Sequence, residues 1–225
     1  MIDFDKLIDA YLYREGKAKT TGRYYPSEIG QCLRKIWFGY KQPKPVEPEL
    51  TKIFEAGNLL HEFVLDVLKS EKTPEIELVE NESPLTASFD GFTVSGRIDD
   101  IILIKRNNQK FIVEVKSCKD IQKIWEPSRQ YIMQLQFYMH VTEIHNGVLL
   151  YVEKNTLKSK SFFFDYEEKI ANEVVERFKK LNTSIIQDKI PEPEAKIDQK
   201  TRWMCFYCNY RKECNDVDGD KYGKI

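Results

Sequence analysis

Apolar and polar residues alternate along the chain in two rhythms, which divide it into helices and strands. Over residues 28–40 and 49–70 the apolar positions recur at intervals near three and four, which predicts two helices. Ser27 is a suitable cap for the first helix, and a proline-rich stretch ends it. Cys32 falls on the first predicted helix and His61 on the second.

Residues 75–116 change to alternation with many β-branched residues, which predicts strands. Asp-Gly at 90–91 is typical of a hairpin turn, and a second turn is predicted over residues 106–109. The last two strands of this meander would therefore run antiparallel. Their pairing brings Asp99 near Glu114 at one end of a sheet.

A third helix is predicted over residues 127–145, followed by strands over 147–153 and 158–165 and a helix over 166–188. Helices and strands in this order predict an α/β fold in the broad sense, an α+β mixed sheet with helices on both sides.

Composition sets the domain organisation. The chain has 225 residues, and 41% of them are hydrophobic, which is enough for one core. Residues 196–214 have too few aliphatic side chains to build a core of their own. We therefore divide the chain into an N-terminal helical segment (1–48), a core (49–190) and a C-terminal cysteine-rich segment (191–225).

No apolar run reaches the roughly 20 residues of a membrane span, and the first residues carry acids where a signal peptide is apolar. We expect a soluble, cytoplasmic protein without a membrane partner. The net charge of −1 gives no general electrostatic case for nucleic-acid binding. Basic side chains do cluster over residues 105–129, but acids lie among them, so a solvated mixed-charge face is an alternative reading.

Three of the five cysteines share the spacing Cys205-x2-Cys208-x5-Cys214, which is typical of metal ligation. Zinc and iron-sulfur sites both need four ligands, and Cys32 is the natural fourth. The spacing does not separate zinc from iron, and disulfides or buried thiols are the alternatives. We interpret Cys118 as a packed thiol outside this set.

Acidic and basic side chains mark two adjacent predicted strands. Asp99 ends the run Gly-Arg-Ile-Asp on one strand, and Glu114-Val-Lys116 lies on the next. Strand alternation puts Glu114 and Lys116 on one face, so two hard oxygen ligands for Mg²⁺ or Mn²⁺ would meet a lysine there. Such a set suits phosphodiester hydrolysis, in which a cation steadies the attacking water or the developing charge. A plain surface Glu-x-Lys pair is the alternative, but the flanking apolar run favours a buried strand.

Three more side chains are candidates for the same site. His61 follows a glycine by one helical turn and would donate a nitrogen ligand to the metal. Gln134 and Tyr138 lie one turn apart on the third helix and would orient a scissile phosphate or stack on a base. Each is an ordinary helix residue when taken alone.

The ordered set of motifs resembles the RecB-like PD-(D/E)XK nucleases and, within them, the CRISPR-associated Cas-four family of exonucleases. The resemblance spans nearly the whole chain. It implies a restriction-endonuclease-like core. The motifs are Ser27 to Cys32-Leu33-Arg34-Lys35, Gly57-x3-His61, Gly96-Arg97-Ile98-Asp99, Glu114-Val115-Lys116, Gln134-x3-Tyr138 and Cys205-x2-Cys208-x5-Cys214. The family often has proline where this chain has Leu33, which affects no ligand.

The resemblance implies a role for each residue. His61, Asp99, Glu114 and the carbonyl of Val115 would ligate a catalytic Mg²⁺ or Mn²⁺, and Lys116 would position the attacking water. Gln134 and Tyr138 would support the site or contact DNA. The four cysteines would hold a 4Fe-4S cluster, with 2Fe-2S as the second form.

The resemblance also implies a deoxyribonuclease that degrades single-stranded DNA from an end, with 5′ to 3′ polarity favoured and endonuclease action as a second mode. CRISPR integrase proteins would be its partners in spacer acquisition and antiviral defence. The alternatives are a noncatalytic, metal-stabilised module that binds DNA or protein, and a RecB- or AddB-like repair or viral recombination nuclease.

Overall fold

The computed structural model describes residues 2–219 and 221–222. The strands are β1 (Arg23–Tyr24), β2 (Ile76–Phe89), β3 (Phe92–Ile104), β4 (Gln109–Cys118), β5 (Asn146–Glu153) and β6 (Ser159–Asp165). The helices are α1 (Phe4–Leu12), α2 (Pro26–Ile29), α3 (Leu33–Lys41), α4 (Pro48–Lys69), α5 (Arg129–Thr142), α6 (Glu168–Ile186), α7 (Glu194–Ile197) and α8 (Arg211–Asp218).

The six strands form one mixed sheet in the order β1-β3-β4-β5-β6, with β2 paired to β3. The β1–β3 and β4–β5 pairs are parallel and the others antiparallel. One edge of β3 is covered by β2. The other edge is shared, because β1 pairs with residues 93–94 and β4 with residues 100–104. Residues 95–99 of β3 lie in the gap between these two neighbours.

Helices cover both faces of the sheet. On one face α4 packs Leu60 and Val64 against Val113 and Val115 of β4. On the other face α5 and α6 join the larger core, which includes Ile112. Strand β4 is therefore buried on both sides, as a central strand of a mixed sheet is. The expected α/β mixed sheet with helices on both sides is confirmed.

The strand predictions agree with the structure to within one or two residues at most boundaries, and the turn at 90–91 joins β2 to β3. The first helix was predicted wrongly. The chain breaks after Ile29, so Ser27 lies inside α2, and Cys32 precedes α3 as its N-cap residue. Cys32 therefore lies outside both helices. The sequence did not reveal the break, because the apolar spacing continues across it.

The prediction for the third helix was too long. Helix α5 begins at Arg129 and ends at Thr142, where Glu143 takes the left-handed conformation with φ 58°. Asn146 and the glycine after it begin β5 and do not stop the helix. Residue 1 of the predicted segment 1–48, and residues 220 and 223–225 of the segment 191–225, lie outside the described residues.

None of the helices within residues 2–219 and 221–222 has both the length and the hydropathy needed to cross a membrane.

Candidate active site

The site forms at a fork between β3 and β4. Asp100 and Val113 form the first residue pair of the two strands, and beyond it they separate. Asp99 spans the opening, because its Oδ2 accepts a hydrogen bond from the backbone N–H of Val115 over 2.9 Å. Asp99 and Glu114 therefore lie near each other, as predicted. The hydrogen bond that joins the strands here comes from the Asp99 side chain and not from the backbone of β3.

Helix α5 closes the gap along β3. The Tyr138 hydroxyl donates to the carbonyl of Arg97 over 3.0 Å, which satisfies a carbonyl in the gap. Pro26 and Tyr138 pack closely against the backbone of β3, since a Cβ atom at Gly96 would lie 3.1 Å from Pro26 and 3.3 Å from Tyr138. The glycine of the Gly-Arg-Ile-Asp run thus makes room for the tyrosine.

Glu114 is the most enclosed acid of the site, with only 2% of its surface exposed. Its Oε1 accepts hydrogen bonds from Lys116 Nζ at 2.5 Å and from Gln134 Nε2 at 2.8 Å. Its Oε2 is buried and has no hydrogen-bond partner among the described residues. A buried carboxylate oxygen without a donor is costly, and a divalent cation is the partner that hard oxygen ligands fit.

The acids of the site repel one another and are poorly solvated. Burial, with a contribution from the charge of Asp99, raises the pKa of Glu114 to about 7. Burial also raises the pKa of Asp99 to about 6, although Lys116 counteracts this. Both carboxylates thus gain from a nearby positive charge at neutral pH.

His61 reaches the fork from α4. Its Nε2 lies 2.8 Å from the carbonyl oxygen of Val115, and its Nδ1 lies 3.6 Å from Asp99 Oδ2. Burial lowers the pKa of His61, which favours the neutral imidazole that binds metals. His61, Asp99 and the carbonyl of Val115 therefore lie close together at the fork. As placed, no three His, Cys, Asp or Glu side chains of the described residues are close enough to share one ion.

Lys116 is the cation of the fork. Burial alone would lower the pKa of Lys116, but the Glu114 carboxylate outweighs burial and raises it, so the side chain is an ammonium at neutral pH. Its Nζ lies 4.6 Å from the centre of the Tyr131 ring and 3.4 Å from Gln134 Oε1. These contacts hold the ammonium beside Glu114.

A cavity of about 780 Å³ opens beside the fork. Of the predicted residues, His61, Asp99, Gln134 and Tyr138 line it. Sequence reasoning gave no role there to several other lining residues: Arg23, Tyr25, Asn58, Glu62, Asn81, Glu82 and Asp100. Alternation alone does not locate most of them, because Arg23 comes from an edge strand of two residues, two others come from α4 and two from the bulged strand β2.

The four predicted cluster cysteines line a second cavity, of about 110 Å³, between α3 and the C-terminal segment. Burial raises the pKa of Cys205 to about 11, and the charges of Cys32, Cys208 and Cys214 add to the rise, so the four thiols are neighbours. Each is only partly exposed and forms no disulfide. Cysteine thiolates are the donor type that zinc and iron-sulfur clusters use.

Buried charges join the two chain ends around this cavity. Arg34 pairs with Asp218 at 2.5 Å and also donates toward Cys214 Sγ over 3.6 Å. Lys196 binds the other oxygen of Asp218 at 2.7 Å. The network positions Cys214 relative to α3.

The cysteine cavity also borders the active-site helix. A Cβ atom at Gly30 would lie 2.5 Å from the Cα atom of Gln130, so the turn before Cys32 presses directly on the first turn of α5. Gln134 lies one turn further along the same helix. The two cavities thus both border α5.

A mixed sheet whose central strands part at a carboxylate-lysine fork defines a nuclease of the restriction-endonuclease-like class. The chain belongs to the PD-(D/E)XK nuclease superfamily, whose profile matches residues 10–215. The expected superfamily is thereby confirmed. A search of curated protein sequences found no match.

Comparison with solved structures found several that resemble this chain. The crystal structure of SSO0001 is similar with a TM-score of 0.58 and 20% identity, over 93% of this chain and 92% of the other. An alkaline exonuclease from Laribacter hongkongensis aligns with a TM-score of 0.49 and 11% identity, over 82% of this chain and 96% of the other. A phage-related exonuclease from Haemophilus somnus 129PT has a TM-score of 0.46 and 16% identity, over 72% of this chain and 82% of that one.

Proposed function

We propose that this protein is a metal-dependent deoxyribonuclease that removes nucleotides from an end of single-stranded DNA, with 5′ to 3′ polarity favoured. The observation that carries the proposal is the buried Glu114, whose Oε2 lacks a hydrogen-bond partner while Lys116 and Asp99 lie beside it. Superfamily membership supports nuclease chemistry, and its members typically use Mg²⁺ or Mn²⁺.

The roles follow from the contacts. Asp99, Glu114, His61 and the Val115 carbonyl would hold the cation, which supplies Lewis acidity to the phosphoryl group when bound. Lys116 would move from Glu114 Oε1 toward the attacking water and the developing negative charge.

Gln134 would keep Glu114 oriented, and Tyr138 would brace the β3 backbone next to Asp99. Both side chains also face the cavity in which a DNA strand would lie. The preference for DNA, for single strands and for an end rests on the ordered motifs that resemble the Cas-four family. That resemblance also carries the proposed partnership with CRISPR integrase proteins and action in the cytoplasm.

We further propose that Cys32, Cys205, Cys208 and Cys214 hold an iron-sulfur cluster, with 4Fe-4S favoured over 2Fe-2S. Around a single zinc ion, four sulfurs lie about 3.8 Å from one another, at Zn–S distances near 2.3 Å. In a four-iron cluster each thiolate binds a different iron, so the sulfurs lie further apart. The four thiols line one cavity, and the preference for iron over zinc rests on the ordered motifs that resemble the Cas-four family.

The test is cleavage of end-labelled single-stranded DNA with Mn²⁺ by protein purified without oxygen. We expect Lys116→Ala and Asp99→Ala to lose cleavage by about a thousandfold or more. Lys110→Ala is the matched control, because Lys110 is an exposed lysine at the start of the same strand, outside the cavity.

Full activity of both site variants would refute the mechanism. DNA binding without cleavage by the wild-type protein would favour a noncatalytic module. A colourless preparation that contains zinc would reject the cluster, whatever the cleavage result.

A further inference from the structure

The active-site cavity extends from the fork along β3 to the edge strand β1. Arg23 of β1 lines this cavity, and so do Tyr25 and Ser27, which follow Arg23 in the chain. Tyr24 is fully buried against the rings of Phe92 and Phe178. Because neighbouring strand residues point to opposite faces, Arg23 is directed into the cavity.

The Arg23 guanidinium is not paired with any charged group of the described residues. Four carboxylates and two arginines line the cavity, but Arg97 is paired with Glu82 at 3.1 Å. Arg23 is exposed, and its guanidinium has no ion pair or side-chain hydrogen bond within residues 2–219 and 221–222. In a concave surface that also holds acids, an unpaired guanidinium is the group that can attract and bind a phosphate.

The pairing of β1 with β3 gives the distance between Arg23 and the catalytic residues at the fork. In the β1–β3 pairing Arg23 stands opposite Thr93, which is six residues before Asp99 on β3. Six residues of strand span about 20 Å. A phosphate at Arg23 would thus be a few nucleotides from the scissile bond, on the same DNA strand.

We infer that Arg23 binds a backbone phosphate of the DNA substrate at this distance from the scissile bond. The inference rests on the proposed nuclease function and extends it to a second contact point. Tyr25 and Ser27 offer hydroxyl groups for the sugar-phosphate backbone in the same cavity. Arg23 thereby holds the strand in the cavity and takes no part in the chemical step.

The test compares Arg23→Ala, Arg23→Lys and the control Arg106→Ala. Arg106 is also exposed and has no side-chain partner in the described part of the chain, but it lies in the β3–β4 turn, outside the cavity. For Arg23→Ala acting on single-stranded oligonucleotides, we expect KM to rise about tenfold and kcat to change less than about twofold. Arg23→Lys should recover part of the loss, and Arg106→Ala should behave as wild type.

Two further readouts separate a phosphate contact from a structural effect. The slope of log Kd against log salt should decrease in magnitude by about 0.7 for Arg23→Ala, the value for one phosphate on a single strand. With bis(p-nitrophenyl) phosphate, which is too short to reach Arg23, wild type and Arg23→Ala should have equal kcat/KM.

An unchanged KM and salt slope in Arg23→Ala, with an active wild type, overturns this inference alone. An equal loss on the small substrate overturns it as well, because the defect would then lie in the fork. A wild type that neither binds nor cleaves DNA overturns the proposed function and this inference with it.

Discussion

Gln134 Nε2 lies 2.8 Å from Glu114 Oε1, the same carboxylate oxygen that Lys116 binds, so the donors crowd one oxygen and leave Oε2 without a hydrogen bond. The amide of Gln134 is therefore an orienting group. It fixes the carboxylate by its Oε1, so Oε2 is the oxygen that would bind a cation.

Replacing Gln134 by Met keeps a side chain of similar length and removes the amide. We expect the apparent affinity for Mn²⁺, measured from the metal dependence of cleavage, to fall about 10–100-fold, as it does when other outer-shell partners of metal ligands are lost. Gln122→Met is the control, because Gln122 is exposed on a short turn away from the fork. An unchanged metal dependence in Gln134→Met would rule out the orienting role.

The raised pKa of Glu114 predicts an effect on stability in EDTA. The pKa rises from an ordinary 4.5 to about 7 in the folded protein, mainly because the group is buried. Deprotonation therefore favours the unfolded state, so wild-type stability should fall as pH rises from about 4.5 to 7 and stay low above that range. Glu114→Gln removes this loss.

At pH 8 in EDTA we expect Glu114→Gln to be more stable than wild type by about 1–3 kcal/mol, measured by urea unfolding. At pH 4.5 the two proteins should be nearly equal, which serves as the internal control. A Glu114→Gln protein that is less stable than wild type at pH 8 would show that the Lys116 ion pair outweighs the burial of the carboxylate.

The fold was predictable to a large extent because its strands are strongly patterned. The alternation around the turn at 90–91 and the apolar run of β4 predicted strands β2 to β4. The superfamily motifs predicted the overall fold. The break before Cys32 was not predictable, because the apolar spacing of α2 continues into α3. Helix α5 ends at Glu143 in the left-handed conformation, which usually calls for glycine.

The site was predictable in its residue types but not in its extent. The six predicted side chains His61, Asp99, Glu114, Lys116, Gln134 and Tyr138 meet at the fork or its cavity. Two other lining residues escaped notice for physical reasons. Arg23 lies on a strand too short to show alternation, and Glu82 follows a register shift between Leu78 and Glu80, which changes the face that each later residue of β2 presents.

The contact between Gly30 and Gln130 predicts that even one methyl group is not tolerated there. A Cβ atom 2.5 Å from the Gln130 Cα forces α2 and α5 apart, so Gly30→Ala should lose about 2 kcal/mol or more of unfolding free energy. Gly39→Ala is the matched control. Its Cβ would meet only Lys19 Nζ at 3.8 Å, and alanine within α3 should stabilise the protein by about 0.5–1 kcal/mol. Equal effects of the two substitutions would contradict the close packing of the helices.

The cysteine cavity predicts that metal content depends on four thiols and not on the fifth. Cys205→Ser should lose most of the bound metal, measured by elemental analysis, and its melting temperature should fall because the two chain ends are no longer tied together. Cys118→Ser should keep its metal, since Cys118 is buried beside Glu153 and Asp120, outside the cysteine cavity. Metal retained in Cys205→Ser would remove that residue from the ligand set.

The central claim is that a divalent cation binds at the fork through the unpaired oxygen of Glu114. Anomalous diffraction from a crystal soaked in Mn²⁺ tests it most directly. The account predicts a peak about 2.1 Å from Glu114 Oε2 and in contact with Asp99. A soaked crystal of active protein with no peak at the fork, or with its manganese elsewhere, would contradict it.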